Sequence, residues 1–157
     1  MTITVVVVGR VGSPFKAAVE EYEARAKRYW KLSVVELPSG TAGKGRGDAG
    51  RAVRTEEKLI LKKLSDRAEV VALTRAGTHM RSPELARYLE DRALRSIPEV
   101  TFVIGGAFGI GAGVLERADR TLALSEGTLP HELARLVLAE QLYRAASILA
   151  GSPYHRV

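Results

Sequence analysis

Every residue from Thr2 to Val8, in the run Thr-Ile-Thr-Val-Val-Val-Val, is β-branched. Side chains of this type are stiff at χ1 and pack well on a pleated surface. A strand with one wet face alternates apolar and polar residues, whereas a nearly unbroken apolar run is buried on both faces, as in parallel sheets covered by helices. Four more strand-like runs follow, at Leu32–Pro38, Glu69–Arg75, Glu99–Gly105 and Arg120–Ser125.

Segments of helical period separate these runs. Ser13 and Pro14 offer an N-cap and a first helical position ahead of Phe15, Ala18, Val19, Tyr22 and Ala26, which recur every three or four residues. A second helix is expected through Val53, Ile60, Leu64 and Ala68. A third starts at Ser82 and Pro83 and carries Leu85, Tyr88, Leu89 and Arg92, and a short one lies near Val114 to Ala118. A last helix is opened by Pro130. Strands alternating with helices predict an α/β fold, a largely parallel sheet with helices on both faces. At 157 residues the chain fits a single domain, 1–157, with no internal repeat or linker.

Composition narrows the partners. There is no cysteine, which excludes disulfides and thiolate metal sites, and three scattered histidines without clustered acids lack ligand spacing, so no metal is expected. Lysine and arginine number 24 against 18 acids, a net charge of +6, which favours a polyanion such as nucleic acid. The opening run has no basic region ahead of it and is far shorter than the roughly 20 residues that span a bilayer. A cytoplasmic protein with no membrane association is expected.

The stretch Ile104–Gly113 holds five glycines and directly follows a strand-like run. A dinucleotide fingerprint needs G-x-G-x-x-G at the first strand-to-helix turn. Here the loop follows the fourth of five predicted strands, and Val114 stands where the third glycine would be. A nucleotide-dependent oxidoreductase is disfavoured for that reason. Gly43-Lys44-Gly45 lacks the Ser or Thr of a phosphate loop; the glycine-rich basic segment Ser39–Arg51 around it either touches nucleic-acid phosphate or is an ordinary surface loop. A non-enzymatic RNA-binding module would use that segment and the basic surface alone.

The last helix is apolar on nearly every side, through Leu133, Leu136, Val137, Leu138, Leu142, Tyr143, Ala146 and Leu149. Such a helix needs cover on two sides, which predicts a homodimer. Glu140, Arg144 and Ser147 recur at i, i+4 and i+7 as one polar stripe. A Glu140–Arg144 pair there is either a structural bridge or part of a functional site.

Three segments, "FVIGGAFG", "LALSEGTLPHELARLVLAEQLYRA" and the terminal "SPYHR", together resemble the small SPOUT-class methyltransferases that methylate N3 of a pseudouridine in the 23S RNA of the large ribosomal subunit. The opening "VVVVGRVGSPFKAAVEEYEARAKRYWKLSVVELP" is similar to the family's first strand, tyrosine-bearing helix and second strand, so the resemblance covers the whole chain. Two departures stand out: Ala107 and Phe108 replace a frequent proline and acidic residue, and Glu126 and Gly127 replace Ala and Leu.

The resemblance implies a trefoil-knotted domain, in which the chain end threads through a loop. Ordinary chain topology would exclude this. It also implies S-adenosylmethionine as cofactor, held by Leu73, by Gly105 and Gly106, and by the loop Ser125, Glu126, Gly127, Thr128, Leu129 and Pro130. Catalytic roles fall on Tyr154, His155 and Arg156 of the tail, which supply a stacking ring, a titratable imidazole and a phosphate-reading fork, and on Arg144. His155 is either the base that takes the acceptor's proton or a hydrogen-bonding positioner. The implied partners are 23S rRNA, within the large subunit or the whole ribosome, and a second copy of the chain.

Overall fold

The computed structural model describes residues 1–40 and 48–155, with the backbone alone at His155. The segment 41–47 of the basic loop, the His155 side chain and Arg156 lie outside the described residues.

Five strands, β1 (Thr2–Val8), β2 (Lys31–Leu37), β3 (Ala68–His79), β4 (Glu99–Ile104) and β5 (Arg120–Ala123), form one sheet in the order β2-β1-β4-β3-β5. Every neighbouring pair is parallel. The β-branched opening run sits near the middle, with Val5 between Val34 and Phe102. Successive side chains of a strand point to opposite faces. Ile3, Val5 and Val7 accordingly join Phe102 and Ile104 beneath α1 (Lys16–Lys27), α3 (Ser82–Leu94) and α5 (His131–Leu149). Val6 and Val8 join Val70 and Val103 on the other face, under Ile60 of α2 (Ala49–Leu61) and Val114 of α4 (Ala112–Arg117). Both faces are covered, which is why β1 has almost no polar residue.

Two predicted helix boundaries move. α1 starts at Lys16 rather than Pro14, with Phe15 as its N-cap; the chain turns over residues 13–15, just after the Gly12 N–H that donates to Glu132 of α5 at 2.7 Å. α2 stops at Leu61 and does not reach Ala68, which instead opens β3. Between them the chain turns at Ser65, whose Oγ accepts the Arg67 N–H, and the Arg117 guanidinium pins that turn by bonding the Ser65 and Ala68 carbonyls.

α5 lies between α1 and α3 and is tied to both. Trp30, just past α1, donates its indole N–H to the Leu142 carbonyl at 2.9 Å, and Ser82 of α3 donates to Gln141 at 2.7 Å. Arg135, only 8% exposed at its side chain, bonds Glu23 of α1 at 2.7 Å and Glu36 of β2 at 2.6 Å. The sheet and these helices bury Leu138, Leu142, Ala145 and Ala146. Much of the helix's apolar surface is thus covered within one chain, leaving Leu133, Leu136, Val137 and Tyr143 half-buried.

Candidate functional site

Parallel strands all end at the same edge, and in open α/β sheets ligands bind in the crevice beyond those carboxyl ends. A cavity of about 810 Å³ opens there, at the ends of β4 and β5 and beside residues 73–76 of β3. Its apolar walls include Leu73, Ile104, Leu122, Leu124 and Leu129. Of the residues expected to hold a cofactor, Leu73 lines it from within β3, and Gly105 and Gly106 from just past the end of β4. Ser125, Gly127, Thr128, Leu129 and Pro130 line it from the loop before α5, while Glu126 is exposed and outside the lining.

The loop after β4 is a tight turn. The Gly109 N–H bonds the Gly106 carbonyl at 3.1 Å, and Gly109 has φ of +86°, a conformation glycine adopts at little cost. Gly105 and Gly106, which the resemblance assigns to the cofactor, have a second reason to lack side chains, in the directions their Cβ atoms would take. A Cβ on Gly105 would come within 2.7 Å of the Gly109 carbonyl oxygen, and one on Gly106 within 2.7 Å of the Glu56 carboxylate on α2. The turn's own packing therefore demands these glycines, whatever else it binds.

Two adjacent glutamates of α2 shape the same loop, and the sequence reading missed both. Glu56, 2% exposed, accepts the Gly40 N–H at 2.8 Å and packs on Gly106. Glu57 accepts the Gly113 N–H at 2.7 Å in the first turn of α4. The signal available was Glu56 standing between Ala52 and Ile60, at i, i+4 and i+8 on the face of α2 that the fold buries. Gly9 was missed too: its φ is +92°, and the His131 ring at the start of α5 occupies the place a side chain would take.

A second constellation lies further along α5. After α5 a 3₁₀ turn at Pro153–His155 lays the Tyr154 ring 4.5 Å from that of Tyr143, centroid to centroid. The Arg144 guanidinium sits 4.9 Å from the Tyr154 centroid and bonds Glu140 at 2.7 Å, while the Tyr154 hydroxyl donates to the same Glu140 oxygen at 3.1 Å. Glu140, Arg144 and Tyr154 thus form one unit, and Ser147 closes onto the Arg144 carbonyl at 2.8 Å. Burial, then the Tyr22 hydroxyl 3.4 Å away and the Glu140 charge, push the Tyr154 phenol well above its ordinary value. The bond to Glu140 raises Arg144 further. At neutral pH the phenol keeps its proton and the guanidinium its charge.

The structure brings Arg144 and Tyr154 together but leaves them apart from the cavity of the same chain. Ala134, which lines the cavity, and Arg144 are ten residues apart on α5, about 15 Å at 1.5 Å per residue. Tyr154 is not among the cavity's lining residues. Among the described residues no three His, Cys, Asp or Glu side chains are grouped as metal ligands, and no helix is long and apolar enough to cross a membrane.

Comparison with known proteins places this architecture. The family described as "Predicted SPOUT methyltransferase" matches residues 1–155. Among similar curated proteins, the "Ribosomal RNA large subunit methyltransferase H" of Gemmatimonas aurantiaca is 43% identical over 157 residues, covering 99% of this chain and all of that protein. The protein of the same name from Limosilactobacillus fermentum is 40% identical over 159 residues, with 99% and 100% coverage. The "Ribosomal RNA large subunit methyltransferase H 1" of Clostridium perfringens is 37% identical at the same coverage. With its five-stranded parallel sheet covered on both faces, and with the trefoil knot that membership implies, this chain belongs to the SPOUT methyltransferase family.

Proposed function

We propose that this enzyme transfers a methyl group from S-adenosylmethionine to N3 of a pseudouridine in 23S ribosomal RNA, acting in the cytoplasm on the assembled large subunit or ribosome as a homodimer. The observation that carries the reading is the cavity at the carboxyl ends of β4 and β5 and beside residues 73–76 of β3, lined by eight of the nine residues the resemblance assigns to the cofactor. Its volume of about 810 Å³ lies within the range of roughly 300–1,000 Å³ usual for small-molecule sites. The names of the similar proteins support ribosomal RNA as the acceptor, as does the net charge of +6.

The donor set fits that cofactor. Leu73, Leu122, Leu124 and Leu129 offer apolar cover to an adenine ring, and the backbone of 125–130 offers amides and carbonyls to its edge. When bound, the cofactor supplies a methyl group already activated by a sulfonium charge. The protein's share is alignment of the acceptor nitrogen and removal of its proton. Neither the protonated Tyr154 phenol nor the Arg144 cation can accept a proton at neutral pH. That leaves His155 as the tail's base, with Tyr154 stacking on the acceptor and Arg144 and Arg156 reading phosphate.

The separation of the two constellations supports the homodimer reading. Leu133, Val137, Glu140 and Arg144 stand at i, i+4, i+7 and i+11, so the half-buried apolar residues and the polar unit share one face of α5. Pairing two copies over that face would bring the tail of one to the cavity of the other. Calorimetry tests the cofactor directly: S-adenosylhomocysteine should bind and NAD should not, and the reverse would sink the reading.

A further inference from the structure

β3 and β5 fall out of register at one place. Leu73 and Thr78 both lie opposite Leu122, so the four residues Thr74–Gly77 stand off the ladder as an excursion. Gly77 lets this excursion close against the neighbouring strand, since a Cβ there would come within 2.5 Å of the Leu122 carbonyl carbon. The excursion carries Arg75 to the mouth of the cavity, where its Nη1 donates to the Thr128 hydroxyl at 3.2 Å on the opposite loop.

Arg75 is the only Lys, Arg, Asp or Glu among the described residues lining the cavity, and no carboxylate of the described residues pairs with it. A guanidinium has five N–H donors, and Thr128 takes one. The remaining fork is suited to a carboxylate, which it can bond with two parallel hydrogen bonds. The cavity's leucine walls suit a purine, and they would leave a zwitterionic amino-acid tail without partners. Such a tail belongs at the wet mouth, beside the one cation.

Resting on the S-adenosylmethionine reading, we propose that Arg75 binds the carboxylate of the cofactor's methionine tail while keeping its bond to Thr128. One side chain then holds the tail and, through Thr128, steadies the loop that faces the adenine. Charged hydrogen bonds of this type are strong when sheltered, but Arg75 is exposed, so a coupling of roughly tenfold is expected and it should shrink with added salt.

The test is a calorimetric cycle on the full chain, with S-adenosylhomocysteine and its decarboxylated analogue S-adenosyl-3-thiopropylamine as probes. The wild-type chain should prefer S-adenosylhomocysteine by roughly tenfold. Arg75→Met should lose most of that preference, and Arg75→Lys should restore part of it. If Arg75→Met weakens both ligands equally, or neither, the proposal is overturned, and unchanged S-adenosylhomocysteine binding with weaker ribosomal RNA binding would place the side chain on RNA phosphate instead. A wild-type chain that binds no S-adenosylhomocysteine overturns the cofactor reading, and this inference with it.

Discussion

Tyr154 and His155 are neighbours in sequence, yet the account gives them separable roles. Tyr154 is a neutral ring held by Tyr143, Arg144 and Glu140, so Tyr154→Phe keeps the stack and removes only the hydroxyl's contacts with Glu140 and Tyr22. The loss of the hydroxyl should cost no more than about tenfold in turnover, as expected for one hydrogen bond, and leave the pH dependence in place. His155→Ala removes the proposed base. Turnover should fall by about 10² to 10⁴-fold with S-adenosylhomocysteine affinity unchanged, and the limb of the pH–rate profile that reports the imidazole should disappear. Equal pH profiles for His155→Ala and the wild type would reduce the residue to a positioner. Legibility at this scale was uneven: the cavity residues were found through whole motifs, whereas Glu56, Glu57 and His131 fill space against Gly106, Gly113 and Gly9, which a single sequence does not display.

At the scale of elements, Arg135 is the joint between α1, β2 and α5. Replacing it with leucine leaves the Glu23 carboxylate, 11% exposed, without its cation. The expected loss is about 3 kcal/mol, the range for breaking a sheltered ion pair from one side, measurable as a lower midpoint in urea. Destabilisation below about 0.5 kcal/mol would mean that water reaches the pair. Tyr88 makes a different joint, donating from α3 to Glu69 on β3 at 2.7 Å. Burial above all, and then this bond, raise its folded pKa above the ordinary tyrosine value near 10. A raised value means the stabilisation is fully present below about pH 10 and is lost as pH rises towards the folded value. Chemical denaturation from pH 8 to 11 should therefore show an alkaline decline that is flatter in Tyr88→Phe.

The elements themselves were mostly legible, because β-branched runs and helical periods report burial directly. The excursion at Thr74–Gly77 was not: the strand-like run was expected to stop at Arg75, whereas β3 resumes its pairing at Thr78 and reaches His79. The same limit explains α2, where Leu64 and Ala68 continue a helical spacing through a turn fixed by Arg117, a residue far along the chain.

For the whole molecule the question is how two constellations about 15 Å apart along α5 could serve one reaction. The account answers with two copies, each tail working at its partner's cavity. Leu129→Asp should block the cavity, and truncation after Ser152 should remove the tail; each homodimer should be inactive. Mixed together they should recover activity, because a heterodimer holds one whole cavity and one whole tail on different chains. No recovery, with heterodimers shown by mass spectrometry, would mean that each subunit uses its own tail. The central claim is chemical, and one measurement addresses it most directly. Large ribosomal subunits and, separately, whole ribosomes lacking the modification are incubated with the protein and S-adenosylmethionine carrying a deuterated methyl group, and the 23S rRNA is digested and mapped by mass spectrometry. The account predicts one labelled methyl, on a pseudouridine and at its N3; label on another base or on ribose, or no label in 23S rRNA while S-adenosylhomocysteine binds, would contradict it.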